Sequence, residues 1–270
     1  MSILLVAAWL SSIHSAAADD SPGSLRVATW NVNWGNRDVE QIETILRELN
    51  ADVFCLQETV PAVEAGLKRR MNDDWPAIHC FGHQNRFDAE RFMVLSRLPL
   101  RNVKFHRPVG RFFGHVTFVV QQNEQTAAFA SVHLEPFNTI GARRVTDIPG
   151  LMQQTDEWHQ REVRHILDSL PEADAQVIAG DFNSLSTMNI FQTLTQHGFS
   201  DSATTGKPGN EPLPTWHWQF RGGAEVRLRI DYVLHSGRLN SRASIVKEAG
   251  RSDHFPLLTV LEWQSEPHDE

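Results

Sequence analysis

A chain of 270 residues with 41% hydrophobic and 21% charged residues has the composition of a globular protein, which excludes disorder as its class. Its formal net charge of −8 at pH 7 excludes tight, non-specific polyanion binding by the surface as a whole, though a local basic rim remains compatible with it. The length suits one large α/β domain or two small ones. With no Pro/Gly/Ser linker and no internal repeat, one domain over residues 19–270 is the economical expectation.

The chain opens with an apolar run, Ile3 to Leu10, then small and polar residues ending in Ala16-Ala17-Ala18 before Asp19-Asp20. This is the layout of a cleaved export signal over residues 1–18, although its n-region offers only the amino terminus as a positive charge. The run is shorter than the roughly 20 apolar residues that span a bilayer. No later segment has that character, so the expectation is a soluble, exported protein, secreted or periplasmic.

Leu25 to Trp30 reads as a strand ending at Asn31. Asp38 then caps a helical period through Val39, Ile42, Leu46 and Leu49. A second strand, Asp52 to Leu56, leads into Gln57-Glu58, and a helix covers Ala62 to Met71. Strands follow at Ala77–Phe81, Arg91–Ser96, Phe113–Val120 and Ala127–Leu134. Leu151, Thr155, Trp158, Val163, Ile166 and Leu170 mark a long amphipathic helix. A strand at Gln176–Ala179, a short helix near Asn189–Gln196, and strands at Arg229–Leu234 and Leu257–Leu261 complete the pattern. Residues 199–224, with several Gly, Pro and Thr, read as a long loop. Early alternation of strands with helices and a strand-rich middle predict a mixed-sheet α/β domain.

Cys55 and Cys80 lie in apolar strand-like runs, and two buried free thiols are favoured over a disulfide. Arg97, Arg101, Lys104, His106, Arg107 and Arg111 form one candidate basic rim and Arg143-Arg144 another. For any single one of these residues, a solvated strand end or loop is the simpler reading.

Polar residues recur where strands end: Asn31, Glu58, Asp181 with Asn183, and Asp253 with His254. In a layered α/β domain such ends converge on a crevice where ligands bind. A carboxylate and an amide two residues apart on an extended segment share a face, and His254 is the side chain best able to take a proton near neutral pH. Oxygen ligands without a paired His or Cys motif suit Mg²⁺ or Ca²⁺ rather than zinc, and the chain has no His-Glu-x-x-His pair.

Thr29-Trp30-Asn31-Val32-Asn33, Leu56-Gln57-Glu58, Ser131-Val132-His133-Leu134, Gly180-Asp181-Phe182-Asn183, Arg229-Ile230-Asp231-Tyr232-Val233 and Ser252-Asp253-His254-Phe255-Pro256 fall in the order of the endonuclease/exonuclease/phosphatase superfamily, which this chain resembles from about Leu25 to Leu261. The resemblance implies an α/β four-layer sandwich, two packed mixed β-sheets flanked by helices, and metal-dependent cleavage of phosphate esters. It implies Glu58 as the main ligand of Mg²⁺ (or Mn²⁺ or Ca²⁺), with Asn31 beside the metal or scissile phosphate and Asp253 binding or positioning metal. It further implies that Asp181 orients the attacking water or metal, Asn183 donates to the phosphoryl oxygens, and His254 is a general base oriented by Asp231. Asn33 stands where some members carry an acidic ligand. His133 is the residue type of pancreatic-type deoxyribonucleases and sphingomyelinases. Ala89-Glu90-Arg91-Phe92 resembles the deoxyribonuclease segment whose Glu pairs with that His, a pairing that would raise the imidazole's pKa.

Substrate is less legible. The stretch Thr215-Trp216-His217-Trp218-Gln219-Phe220 either packs in the core or stacks on bases, and Trp34 is the better candidate for substrate contact at the crevice rim. The favoured expectation is an exported endonuclease acting on nucleic acid. A sphingomyelinase-like phospholipase C and an inositol- or sugar-phosphate phosphatase are alternatives. A non-catalytic binding protein on the same fold is disfavoured, because Glu58, Asp181 and His254 are all present.

Overall fold

The computed structural model describes residues 23–82, 90–137, 148–203, 212–220 and 222–264. The export segment and Arg143-Arg144 lie outside them. Two six-stranded sheets form the body. The first runs, in spatial order, β13 (Leu239–Val246), β14 (Leu257–Trp263), β1 (Ser24–Asn31), β2 (Val53–Gln57), β4 (Phe92–Ser96) and β3 (Ala77–Phe81). The second runs β5 (Leu100–His106), β6 (His115–Gln122), β7 (Gln125–His133), β8 (Ala175–Asp181), β12 (Asp231–Gly237) and β9 (Ser200–Asp201). Helices α1 (Val39–Leu49) and α2 (Pro61–Met71) cover the first sheet, while α3 (Ile148–Ser169) and α4 (Asn189–Gln196) cover the second.

Side-chain alternation builds these layers. On β2, Val53 and Cys55 point between the sheets, where they meet Val116, Phe118, Phe129 and Val177 of the second sheet. Phe54 and Leu56 point the other way, against Ile42 and Leu46 of α1 and Leu67 of α2. On the far side, Val132 and Ile178 meet Val163 and Ile166 of α3 and Ile190 of α4. Central strands are therefore buried on both faces, which is why β2 and β4 read as continuous apolar runs. Asp38 caps α1 as expected, its side chain accepting from the Gln41 N–H at 3.1 Å. The four-layer sandwich is the fold the motifs implied.

Several elements differ from the sequence reading. β5 and β13 were not anticipated, and residues 199–224 are not one loop. They contain β9 and β10 (Trp216–Gln219), and β10 pairs in a separate antiparallel hairpin with β11 (Glu225–Leu228), just past the stretch. The aromatic stripe does not enter the core as a unit, since Trp218 and Phe220 are about half exposed. Both cysteines are free, but only Cys55 is buried; Cys80 is exposed on the edge strand β3. The basic rim is also dispersed. Arg97 stacks over Trp75 at 4.3 Å and donates to Asn50, and Arg111 lies beside Glu135. Among the described residues, no helix is long and apolar enough to cross a membrane.

Candidate active site

Strand direction gathers the polar residues at one edge. β1 and β2 are parallel, as are β7 and β8, so Asn31, Glu58, His133 and Asp181 all sit at carboxyl ends. β12 and β14 run antiparallel to β8 and β1, so their beginnings reach the same edge. Asp231 is therefore the first residue of β12, directly opposite Asp181. Asp253 and His254 enter β14 rather than end a strand, which corrects the strand-end reading of that pair.

Local backbone shape aims the side chains. Glu58, Asn33 and Asn183 adopt left-handed φ values of 57°, 64° and 46°. Asn tolerates this region, whereas Glu rarely enters it, and such outliers cluster at functional sites. Next to Asp181, a Cβ on Gly180 would lie 1.9 Å from the Val132 carbonyl oxygen, so only glycine fits.

Asn31 bridges the two sheets. Its Nδ2 donates to Glu58 Oε1 at 3.0 Å and to Asp181 Oδ2 at 3.1 Å, while its Oδ1 accepts from the Asn33 N–H at 3.0 Å. In this arrangement Asn31 turns donors toward the carboxylates and holds them in place. The Trp34 N–H donates to Glu58 Oε2 at 3.0 Å, and the Trp34 ring stands exposed at the rim. Burial pushes the Glu58 carboxyl above its ordinary range, against the hydrogen bonds from Asn31 and Trp34.

His254 lies between two buried carboxylates. Its Nδ1 contacts Asp231 Oδ2 at 2.9 Å, and its Nε2 lies 3.6 Å from Asp181 Oδ2. Burial opposes a charge on this ring, but Asp231 and Asp181 outweigh it and raise the pKa. Asp181 is itself raised, first by burial and then by Asp231. Asp253 accepts from Asn33 Nδ2 at 2.7 Å and from Trp216 Nε1 at 3.1 Å.

His133 completes the cluster but not in the expected way. Its Nε2 lies 3.5 Å from Asp181 Oδ2 and 3.9 Å from Glu58 Oε1. Its Nδ1 is buried without a hydrogen-bond partner, so the anticipated pairing with Glu90 is not made. Phe113 stacks flat on the ring at 3.7 Å. Burial, then the charge of His254, lower the His133 pKa to about 3, the reverse of the expected rise. Glu90 is buried just ahead of β4. Asn183 Nδ2 donates to the Leu134 carbonyl at 3.0 Å, and its N–H donates to Asp181 Oδ1 at 2.9 Å.

Sequence reasoning missed the supports. Thr215 Oγ1 accepts from the Ile230 and Asp231 N–H groups at 3.1 and 3.0 Å and so sets the start of β12. Ser252 Oγ donates to the Asn31 carbonyl at 2.6 Å and accepts from the His254 N–H at 3.0 Å. Ser252 belongs to the Ser252-Asp253-His254 motif, whereas Thr215 only opens the aromatic stretch and Phe113 only opens a strand-like run, and neither position signals a role at the site.

Glu58, Asp181, Asp231 and Asp253 converge on a small volume beside His133 and His254, so carboxylate oxygens outnumber the imidazoles there. Such an excess of carboxylate oxygens, with Glu58 buried and partly open to the cleft, fits a hard divalent cation. The donor set thus suits metal-assisted attack on a phosphate ester.

Comparison with known proteins agrees. Residues 28–254 match the model of the Endonuclease/Exonuclease/phosphatase family. An exodeoxyribonuclease of Bacillus subtilis (strain 168) is 23% identical over 88% of this chain and 99% of its own length. Two solved structures share the fold. One is an endonuclease/exonuclease/phosphatase family protein from Leptotrichia buccalis C-1013-b, with TM-score 0.65, 15% identity, and coverage of 88% of this chain and 100% of its own. The other is D. rerio TDP2 complexed with single strand DNA product, with TM-score 0.69, 16% identity, and coverage of 88% and 99%. The chain belongs to the Endonuclease/Exonuclease/phosphatase family and is a metal-dependent phosphoric ester hydrolase.

Proposed function

We propose that the protein is a Mg²⁺-dependent nuclease that hydrolyses nucleic-acid phosphodiester bonds by His254-activated attack of water. The observation that carries this reading is the buried Asp231–His254 pair at 2.9 Å, with His254 Nε2 facing Asp181 at 3.6 Å. Asp231 fixes the ring so that Nε2, in the neutral form that a cation beside the carboxylates would favour, receives the proton from water, and Asp181 orients that water. Neutral His133 donates from Nε2 toward the phosphoryl group, while Asn31 keeps Glu58 and Asp181 apart and aligned. A divalent cation held by Glu58, with Asp253 and Asn31 beside it, would neutralise phosphate charge and stabilise the departing oxygen. Export through residues 1–18 and a single catalytic domain over 19–270 belong to the same reading.

Nucleic acid is favoured as substrate by the exodeoxyribonuclease relative, by the exposed Trp34 and by the Trp218 and Phe220 rings on the hairpin joined to His254 through Trp216. Exposed aromatic faces stack on bases. The same rings also suit a lipid surface, which keeps a sphingomyelinase-like phospholipase C as a second reading. The test is a panel of plasmid DNA, RNA, sphingomyelin and inositol phosphates, each with Mg²⁺ and with chelator. Mg²⁺-dependent nicking of plasmid is expected; release of choline phosphate without nicking would overturn the assignment.

A further inference from the structure

Away from this cluster, the β5–β6 hairpin sets His106 and His115 directly opposite each other. Their rings stack at 4.5 Å with an interplanar angle of 2°. His165 of α3 meets both edge-on, at 6.0 and 5.1 Å. One ring nitrogen from each of the three lies within 4.8 Å of the others. Apolar rings would fill this space without the cost of desolvating imidazole nitrogens, so three histidines here call for a reason.

Hydroxyl partners orient the two strand-borne rings. His106 Nε2 bonds Thr117 Oγ1 at 2.8 Å and His115 Nε2 bonds Ser169 Oγ at 2.7 Å. The Ser169 hydroxyl already donates its proton to the Ile166 carbonyl at 2.9 Å, so the His115 Nε2–H is the donor and Nδ1 carries the lone pair. A ring N–H spent on a fixed oxygen is the partner that metal-bound imidazoles use. Burial, then the neighbouring His106 and His165, lower the His115 pKa to about 3; burial and Lys104 lower that of His106. Neutral imidazole is the form that binds metal.

We propose that His106, His115 and His165 form a second metal site, for a transition-metal ion of the Zn²⁺, Cu²⁺ or Ni²⁺ kind, which pins the β5–β6 hairpin to α3. Three imidazoles suit these ions, whereas Mg²⁺ and Ca²⁺ prefer oxygen, so the two centres differ in chemistry. Bond lengths of about 2.0–2.1 Å require the stacked rings to turn about χ2, a broad torsion in histidine. The residues between the two strands include Phe113, which stacks on His133 at 3.7 Å. An ion at the three histidines would therefore brace the loop that supports a ring of the candidate active site.

The test is Co²⁺ and Zn²⁺ titration of a Glu58→Gln background, followed by visible absorption and thermal melting. Co²⁺ should give a ligand-field band, and Zn²⁺ should raise Tm. His106→Ala and His165→Ala, both at half-buried positions, should weaken binding about tenfold or more and abolish the band, with Tm in chelator unchanged. Unchanged affinity in folded variants would overturn the site. X-ray absorption of the Zn²⁺-loaded Glu58→Gln protein requires no histidine variant; a shell of three imidazoles supports the site, and a shell with one imidazole or none overturns it.

Discussion

Within the candidate active site, single atoms do separable jobs. Asn31 contacts both Glu58 and Asp181, so Asn31→Ala removes the donor that spans the two sheets. The expected outcome is a loss of turnover of about 10²-fold or more with small change in stability, read by steady-state kinetics beside thermal melting. Gly180 is a packing constraint on the same site. Gly180→Ala drives a methyl into the Val132 carbonyl and should cost about 1–3 kcal/mol while displacing Asp181. A wild-type melting temperature and full activity for this variant would contradict the close approach.

Among the elements, legibility followed burial. β2, β4 and β8 were readable because they are apolar on both faces, and α1 because Asp38 and its 3.6-residue period agree. The unforeseen β5, β11 and β13 carry many exposed residues, and their sequences lack a sustained apolar signal. His106, which sits among basic residues in the sequence, is for the same reason not recognisable there as a strand residue. The chemistry-bearing residues were legible as motifs, but their contacts were not. Asn31 and Asp181 are 150 positions apart, and only the packing of two sheets joins them. The β10–β11 hairpin yields its own prediction. Trp218→Ala should raise KM for a nucleic-acid substrate by an amount matching about 1–3 kcal/mol per stacked base, with Tm unchanged. An unaltered KM would remove Trp218 from the substrate path.

Across the whole molecule, the pH response should reveal a buried carboxyl outside the candidate active site. Glu162 of α3 accepts from the Glu135 N–H at 3.2 Å, and burial, with Glu135 nearby, raises its pKa to about 8. The folded state therefore keeps a proton that the unfolded chain has lost above the ordinary carboxylate range of about 4.3. Stability should fall as pH rises through that window toward 8, by up to about 1.4 kcal/mol per pH unit from this group. Glu162→Gln should flatten that slope in denaturant melts between pH 5 and 8. Identical slopes for the two proteins would show that Glu162 is ionised in the fold.

The proposed metal-dependent phosphodiesterase centre draws its residues from both sheets. Its most direct test is plasmid nicking with Mg²⁺ by wild type, Glu58→Gln and His254→Ala, all shown folded by circular dichroism. Wild type should nick plasmid in a reaction that chelator abolishes, and each variant should lose about 10²–10⁴-fold. Variants that nick as fast as wild type would contradict the assignment of this centre.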